Sequence, residues 1–567
     1  MREFKLAIAL FVISLVVSSC TPTPTSDTAS IIKVSDDKIV ETILAKIPPV
    51  APLHEDAPRG GTLKIGYFSS ITSADGFQAI GGFERMVFFT SNEPLVAIGK
   101  DGKYDPAESL AYAFEILDDG QRVRFFLREG VQFQDGYGVM TAYDVVWSLN
   151  RIHDPNGGFG APGLFRNFQG AEVVDDYTVD IVLDPADANM VSKLFERSSL
   201  VHSKTHWDSI GGADNHKSTP IGTGPYTVDK WNVGSDIRYI KHDDWWRGNP
   251  YVDEVIVSVV REPRTRLALL QTGSLHVAWL QAEMVPVAKK DPNLKVWPFK
   301  GVGFDSWIHT NGLAPFDDIR IRRAAVKAIN VDDVNTAIYL DTMAANHQWH
   351  TFAPPSPFAV DLSESWETEL KYDPDGARRL VEEYAMENGL VLPLTIKGVC
   401  ERRPDRLRFC ELIQSLWKNI GLKFEFEIVA TPADRARIMA ECETHVSQGG
   451  SGIILPFQID RALHSAGWYN YANNTALCKN KGQIADETVQ TKLDNLLDAA
   501  AIEFDLERQA ELYKEAQHSA LKNVWVYPPL LLRVNYIACY VTIGGCDNNP
   551  HRADGFIRAG DFWIKRQ

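Results

Sequence analysis

The sequence predicts an α/β protein of two to four domains, on three observations. Strand-like and helix-like segments are mixed along the whole chain instead of being segregated into halves. The 567 residues are too many for one hydrophobic core, and no short internal repeat divides them. Hydrophobic residues make up 45% and charged residues 23%, the balance of an ordinary folded protein.

The first element is a leader. Arg2 and Lys5 precede the apolar run Leu6–Val17, broken only by Ser14, and Val17-Ser18-Ser19 places small residues before Cys20. A basic start, a short apolar core and a small-residue boundary make a signal peptide. The run is too short for a spanning helix, which needs roughly 20 residues. The boundary resembles the lipobox of bacterial lipoproteins, which implies lipidation of Cys20 at the mature N-terminus. Residues 21–30, TPTPTSDTAS, read as a solvated tether. Beyond Cys20 no stretch approaches membrane-spanning length, so the remainder is expected to be exported and soluble.

The folded elements follow in order. Ser35 caps a short predicted helix that Pro48 and Pro49 stop. Gly60-Gly61-TLKIGY reads as a glycine-led strand, and Arg122-VRFFLREGVQF alternates like strands. Asp118, Asp119 and Gly120 mark a hairpin-type turn. Thr141 caps a helix whose Val145, Val146, Leu149 and Ile152 recur at helical spacing. Gly222, Gly224 and Pro225 mark a turn where backbone must pass close to something. Residues 251–260 read as a strand, and Glu262 to Gly273 as a helix with Pro263 at its start. Amphipathic helices are predicted from Ile319, Asp375, Asp405 and Asp505.

A net charge of −16 argues against nucleic acid as a partner. Six cysteines follow Cys20, and an even number in an exported chain points to disulfides, with fifteen full pairings open. Cys539 and Cys546 straddle a Gly-Gly turn and are expected to pair. Cys400 and Cys410 flank the polar connection ERRPDRLRF and are the second expected pair. No CxxC or other paired-ligand spacing suggests a metal site, and no cofactor is expected.

No catalytic constellation emerges, since GxSxG, HExxH and GxxxxGK[ST] are all missing. Gly158-Phe-Gly160-Ala-Pro-Gly163 fits GxGxxG in spacing but has no preceding strand, and reads as a loop. His347 and His350 precede Pro354-Pro355 in an irregular stretch and read as loop packing, and Asn473 begins a formal glycosylation sequon.

Several segments together resemble the extracytoplasmic solute-binding proteins of peptide-type ABC importers, the family that binds dipeptides, oligopeptides and nickel. They are residues 60–66, the long block from Glu93 to Gly136, Thr141–Pro155, Pro220-IGTGPYTVDKW, Asp243-DWWRGNPYVDEV, Arg264-TRLALLQTGSLHVAW and Pro315-FDDIRIRRAAVKAI. In the sixth of these, His276 stands where an acid is usual.

The resemblance implies a two-lobed periplasmic-binding-protein-like fold of the class II type, with a ligand cleft between the lobes. Lobe I would span residues 59–311, with an extra subdomain at about 91–219. Lobe II would span 312–529, and 530–567 would return to lobe I. The crossings near Asn311 and Pro528-Pro529 would act as a hinge. The implied ligand contacts are Tyr67, Phe68 and Ser69 after the first strand, Phe304 and Asn311 near the crossing, and Asp460, Trp468, Tyr469 and Tyr471 in a second-lobe loop. Aromatics suit cleft walls because they offer large contact area and a polar tip.

The implied function is capture of a peptide or peptide-like solute by hinge closure and its delivery to membrane permease subunits, by a monomer held at the membrane through its lipid and without catalysis. The sequence departs from the family at Gln448-GGSGIILPF, where peptide-binding members carry an acid for the ligand's α-ammonium. Peptide, opine, sugar and metal chelate therefore all remain open as ligands. The alternatives are an exported two-lobed hydrolase and a structural lipoprotein.

Overall fold

The structure, a computed structural model, describes residues 54–565 apart from several short stretches, the longest being 158–164, 466–485 and 548–557. The leader with Cys20, the Ser35 helix, the Gly158–Gly163 loop, Trp468, Tyr469, Tyr471 and the Asn473 sequon lie outside the described residues. Among the described residues no helix is long and apolar enough to cross a membrane.

The chain forms β1 (Thr62–Tyr67), then β2 (Ala111–Leu117), β3 (Arg122–Leu127), β4 (Phe168–Asp175) and β5 (Thr178–Leu183). It continues through β6 (Tyr226–Asn232), β7 (Asp236–Lys241), β8 (Glu254–Val259), β9 (Val277–Leu280) and β10 (Leu294–Phe299). Next come β11 (Phe304–His309), β12 (Ala344–Ala345), β13 (Leu394–Glu401), β14 (Leu422–Val429), β15 (Val446–Ser451) and β16 (Leu531–Leu532). The last strands are β17 (Asn535–Tyr540), β18 (Ile543–Gly544) and β19 (Trp563–Ile564).

Lobe I is built on a seven-stranded mixed sheet in the order β10-β17-β9-β1-β8-β7-β6. Both neighbours of β1 run parallel to it, so β1 is buried at the centre. The C-terminal β17 enters between β10 and β9, and this is the return to lobe I. A separate antiparallel sheet, β2-β3-β5-β4, carries its own core, which reaches from Phe77 to Ile221. Lobe II has a six-stranded sheet in the order β12-β16-β11-β15-β13-β14, with apolar cores that hold Trp307 and Trp417 in one cluster and Phe304 and Tyr513 in another.

Local chemistry explains the element ends. The Thr141 N–H donates to the Asp144 carboxylate at 3.1 Å, opening the helix Ala142–Asn150. Pro263 begins the helix Pro263–Gln271, and Asp318 and Asp505 accept first-turn N–H groups of the helices Ile319–Lys327 and Leu506–Lys522. The turn at Asp118, Asp119 and Gly120 takes φ of 51°, 52° and 89°, with glycine at the last position. The Gly222–Gly224 turn runs against the Ser91–Asn92 backbone; a Cβ on Gly224 would lie 2.6 Å from the Ser91 carbonyl carbon.

The sheets place both crossings a few residues from where the sequence suggested. β10 belongs to the lobe I sheet and β11 to the lobe II sheet, so the chain is already in lobe II at Phe304, ahead of Asn311. β16 also belongs to lobe II, so the second crossing lies between Leu532 and Asn535, beyond Pro529. A strand buried on both faces, as β11 is, does not declare which sheet it joins.

Candidate ligand cleft

A cavity of about 80 Å³ lies between the lobes, with space for several waters or one small polar group. Lobe I contributes Phe68, Arg266 and residues 279–282, and lobe II contributes Asp305, Tyr339, Arg403, Asp405 and Arg406. Arg533 to Tyr536, on the second crossing, close it.

Strand alternation decides which side chains arrive there. β11 is buried on both faces. Phe304 and Ile308 enter the core around Tyr513, while Trp307 enters the core around Trp417. Asp305, on the opposite face from Phe304, lines the cavity. Its Oδ1 accepts from Arg406 Nη1 at 3.1 Å and from Arg533 Nη2 at 2.5 Å. Burial would raise this carboxyl, but the two guanidiniums hold it well below the usual carboxylate range.

The second cluster stands on one short connection. The Cys400–Cys410 disulfide joins the end of β13 to the helix Pro404–Lys418. Between the two cysteines, Arg403 makes a two-bond fork with Asp405, at 2.8 and 3.2 Å. Pro404 takes the first helical position and Asp405 the second, where a carboxylate favours the helix dipole. Burial again opposes ionisation of Asp405, and Arg403 with Arg406 lowers its pKa. From lobe I, Arg266 donates to the carbonyls of Trp279 and Val260 and to Gln281 Oε1, and burial brings its guanidinium down to about 10.

Four guanidiniums thus line the cavity against two carboxylates. Both carboxylates are occupied by arginines, whereas Trp279 Nε1, Tyr339 Oη and Arg406 Nε are buried without a hydrogen-bond partner. Buried donors of this kind beside a cavity are met by water or by a ligand's acceptors. The cavity therefore suits a ligand group rich in acceptors and negatively charged.

Of the residues expected at the site, Phe68 lines the cavity. Tyr67 packs in the lobe I core, its ring centroid 6.4 Å from that of Trp279. Ser69 is half-buried beside Phe68 and is not among the lining residues. Phe304 lies in the lobe II core for the reason of alternation just given. Asn311 is buried with neither side-chain amide atom bonded, away from the cavity lining. Asp460, on the helix Pro456–Leu463, faces Arg166 at 3.3 Å. The sequence reading missed Arg266, Asp305, Arg403, Asp405, Arg406 and Arg533. The available signal was the charge density of ERRPDRLRF between two cysteines.

Two other clusters bear on metal binding. His347 contacts Asp332 and His350 contacts the Val360 carbonyl, so they do not converge. Asp75, His202 and His216 are close enough to share an ion. However, Arg151 Nη2 already lies 2.9 Å from Asp75 Oδ2, with His216 Nδ1 3.1 Å from the same oxygen and the Phe77 N–H bonded to Oδ1. A cation there would face a buried guanidinium, so we read the cluster as a buried ion pair walled by neutral histidines.

Known proteins share this architecture. The family model described as "Bacterial extracellular solute-binding proteins, family 5 Middle" matches residues 105–464. The chain is similar to heme-binding protein A of Haemophilus influenzae, 28% identical over 347 residues, covering 57% of this chain and 62% of that protein. It is similar to the dipeptide-binding protein of Escherichia coli, 26% identical over 390 residues, covering 65% and 69%. The first match thus spans less than two thirds of the relative's own length. Among solved structures, that of a binding protein from A. tumefaciens R10 in complex with mannopinic acid superposes with a TM-score of 0.74 at 21% identity. The superposition covers 90% of this chain and all of the other, a likeness of fold.

Proposed function

This chain belongs to family 5 of the bacterial extracellular solute-binding proteins, and from that premise we propose that it captures a small, carboxylate-bearing solute between its lobes for an ABC importer. It is an extracytoplasmic binding protein and not an enzyme, so the hydrolase alternative falls away. The observation that carries the ligand class is the excess of guanidiniums in the cavity together with the buried donors Trp279 Nε1 and Tyr339 Oη, which have no hydrogen-bond partner in the protein.

Capture follows from the geometry. In an open form, Arg403, the most exposed of the four guanidiniums at 37%, meets the solute first. Closure then brings Arg266 and Trp279 of lobe I against Arg406 and Tyr339 of lobe II. Water leaves, and each charge-assisted bond strengthens in the drier site. A free α-ammonium finds no unpaired carboxylate among the described cavity residues, because Asp305 and Asp405 are both held by arginine. The favoured solute therefore presents a carboxylate inward and keeps any amine blocked or outside the cavity. Its relatives' names supply the classes to try: dipeptides, heme and opine acids such as mannopinic acid.

In this reading Cys20 carries the lipid anchor, the receptor is monomeric, and permease subunits receive the solute. A thermal-shift screen of dipeptides, mannopinic acid and heme, each beside an analogue with the carboxylate converted to amide, tests the ligand class. Binding stabilises the folded state by mass action, so one acid should raise the melting temperature and its amide should not. Equal shifts for acid and amide would contradict the proposal.

A further inference from the structure

The lobes also touch outside the cavity. The turn Asp187–Lys193 belongs to the subdomain core that contains Met190 and Leu194. The helices Glu487–Ala501 and Leu506–Lys522 belong to the lobe II core that contains Leu497 and Tyr513. Among the described residues no core cluster spans the two. Phe504 lies against Gly120, and polar contacts join the rest. The Ala188 N–H donates to the Ala501 carbonyl at 2.6 Å. Asn189 Nδ2 donates to Tyr513 Oη at 2.6 Å, and Gln509 Nε2 reaches Asn189 Oδ1 at 3.4 Å. At the rim, Arg166 pairs with Asp498 at 2.9 Å and with Asp460 at 3.3 Å.

The turn is built beforehand on its own side. The Lys193–Asp187 ion pair is buried at 2.5 Å, and the Asp187 carboxylate caps the Asn189 N–H at 2.9 Å. Asn189 is therefore held ready to meet lobe II, while Tyr513 is fixed by ring packing against Phe352 and Phe358. None of these residues lines the cavity. They exchange bonds with water for bonds with each other only when the lobes come together, a net gain that is modest per bond and specific to the closed arrangement.

We propose that Asn189 and Tyr513, with the Ala188–Ala501 bond and Arg166 beside them, form a clasp that sets how often the ligand-free receptor closes, and so tunes solute affinity without touching solute. They are positioning residues. Apparent affinity scales with the population able to close, so weakening the clasp weakens binding of any solute in the same proportion. The inference rests on the receptor reading only in that the two lobes move relative to each other.

Crosslinking in the absence of solute tests it. The variant Ala188→Cys/Ala501→Cys, oxidised with diamide, forms a new disulfide at a rate proportional to the closed population; mass spectrometry follows the joined peptides. Adding Tyr513→Phe, which keeps the ring and removes the hydroxyl, should slow crosslinking about three- to tenfold, as expected for one buried hydrogen bond. Asn189→Ala, on the opposite lobe, loses the Gln509 contact as well and should slow it at least as much, and adding Tyr513→Phe to Asn189→Ala should slow it no further. The melting temperature of each ligand-free variant distinguishes loss of the clasp from loss of the fold. The proposal is overturned if Ala188→Cys and Ala501→Cys never join, if crosslinking keeps its rate in both variants, or if the two effects simply add. Because no solute is present, a failed ligand screen and a failed clasp are told apart.

Discussion

Arg406 and Asp305 lie 101 residues apart in sequence, and their side chains meet at 3.1 Å on the wall of the cleft. Arg533, on the second crossing between the lobes, bonds to the same carboxylate oxygen. One buried acid thus ties the lobe II sheet, the helix Pro404–Lys418 and the second crossing together.

Removing one member should expose the cost of burying the others. Arg406→Met leaves Asp305 buried with a single guanidinium. Urea denaturation should give a loss of about 1.5–3 kcal/mol, the worth of one hydrogen bond to a charged group, because Arg533 still pairs with the acid. Adding Asp305→Asn should cost more again, because Arg533 then loses its carboxylate as well. A loss under about 1 kcal/mol for the single variant would mean that water enters the site freely.

The Cys400–Cys410 bridge closes a loop with a sequence separation of 10. The chain-entropy relation gives it about 2.5 kcal/mol of stability. Cys400→Ser/Cys410→Ser should lower stability by that amount and also weaken solute binding, because Arg403 and Arg406 sit inside the loop. Cys539→Ser/Cys546→Ser, at a separation of 7, should affect stability alone. Equal effects of the two pairs on binding would detach the bridge from the site.

Acid should destabilise the fold through its buried histidines. Burial brings His309 down to about 3 and His206 to about 4, and lowers His202 and His216. In the unfolded chain each protonates near 6.5. Between those values the unfolded state binds more protons, so stability is full above about pH 6.5 and is lost as pH falls. Each fully buried histidine contributes a slope of up to about 1.4 kcal/mol per pH unit. His464 runs the other way: burial lowers it, but Asp498 and its acidic neighbours raise it overall. Denaturation at pH 7 and pH 5 should show the histidine loss, and an unchanged midpoint would contradict it.

Cys20 lies outside the described residues, and its prediction rests on the leader sequence. Cys20→Ala should move the protein from the membrane fraction to the soluble fraction. Acylation at several positions anchors firmly, while a single chain binds only marginally. A wild-type protein that is already soluble and begins at another residue would contradict lipidation.

Most elements were legible in the sequence because their signals are local. The Thr141 and Asp318 caps, Pro263 at a helix start and the Asp118–Gly120 turn each depend on neighbours within four residues. The Gly222–Gly224 approach was legible as a need for room, though not as contact with Ser91. The charged cleft was less legible, because Asp305, Arg406 and Arg533 meet only after the chain has crossed between lobes. β11 gave no help, since both of its faces are buried and FDSWIH has no clean polar alternation. The resemblance pointed to the stretch from Phe304 to Asn311, and the pleat turns Asp305 and not Phe304 to the cavity.

Arg403 offers the most direct test of recognition through the guanidiniums, because it is the most exposed of the four and Arg403→Gln keeps an amide donor that can reach Asp405, with the melting temperature of the ligand-free variant measured beside it. Isothermal titration of the acid that gives the largest thermal shift should be run on wild type and on Arg403→Gln. If the arginines hold the solute's carboxylate, Arg403→Gln binds at least about tenfold more weakly, the worth of one charge-assisted bond, and the amide analogue binds neither protein. Equal affinities of wild type and Arg403→Gln for the acid, or binding of the amide as tight as that of the acid, would contradict anion capture in this cleft.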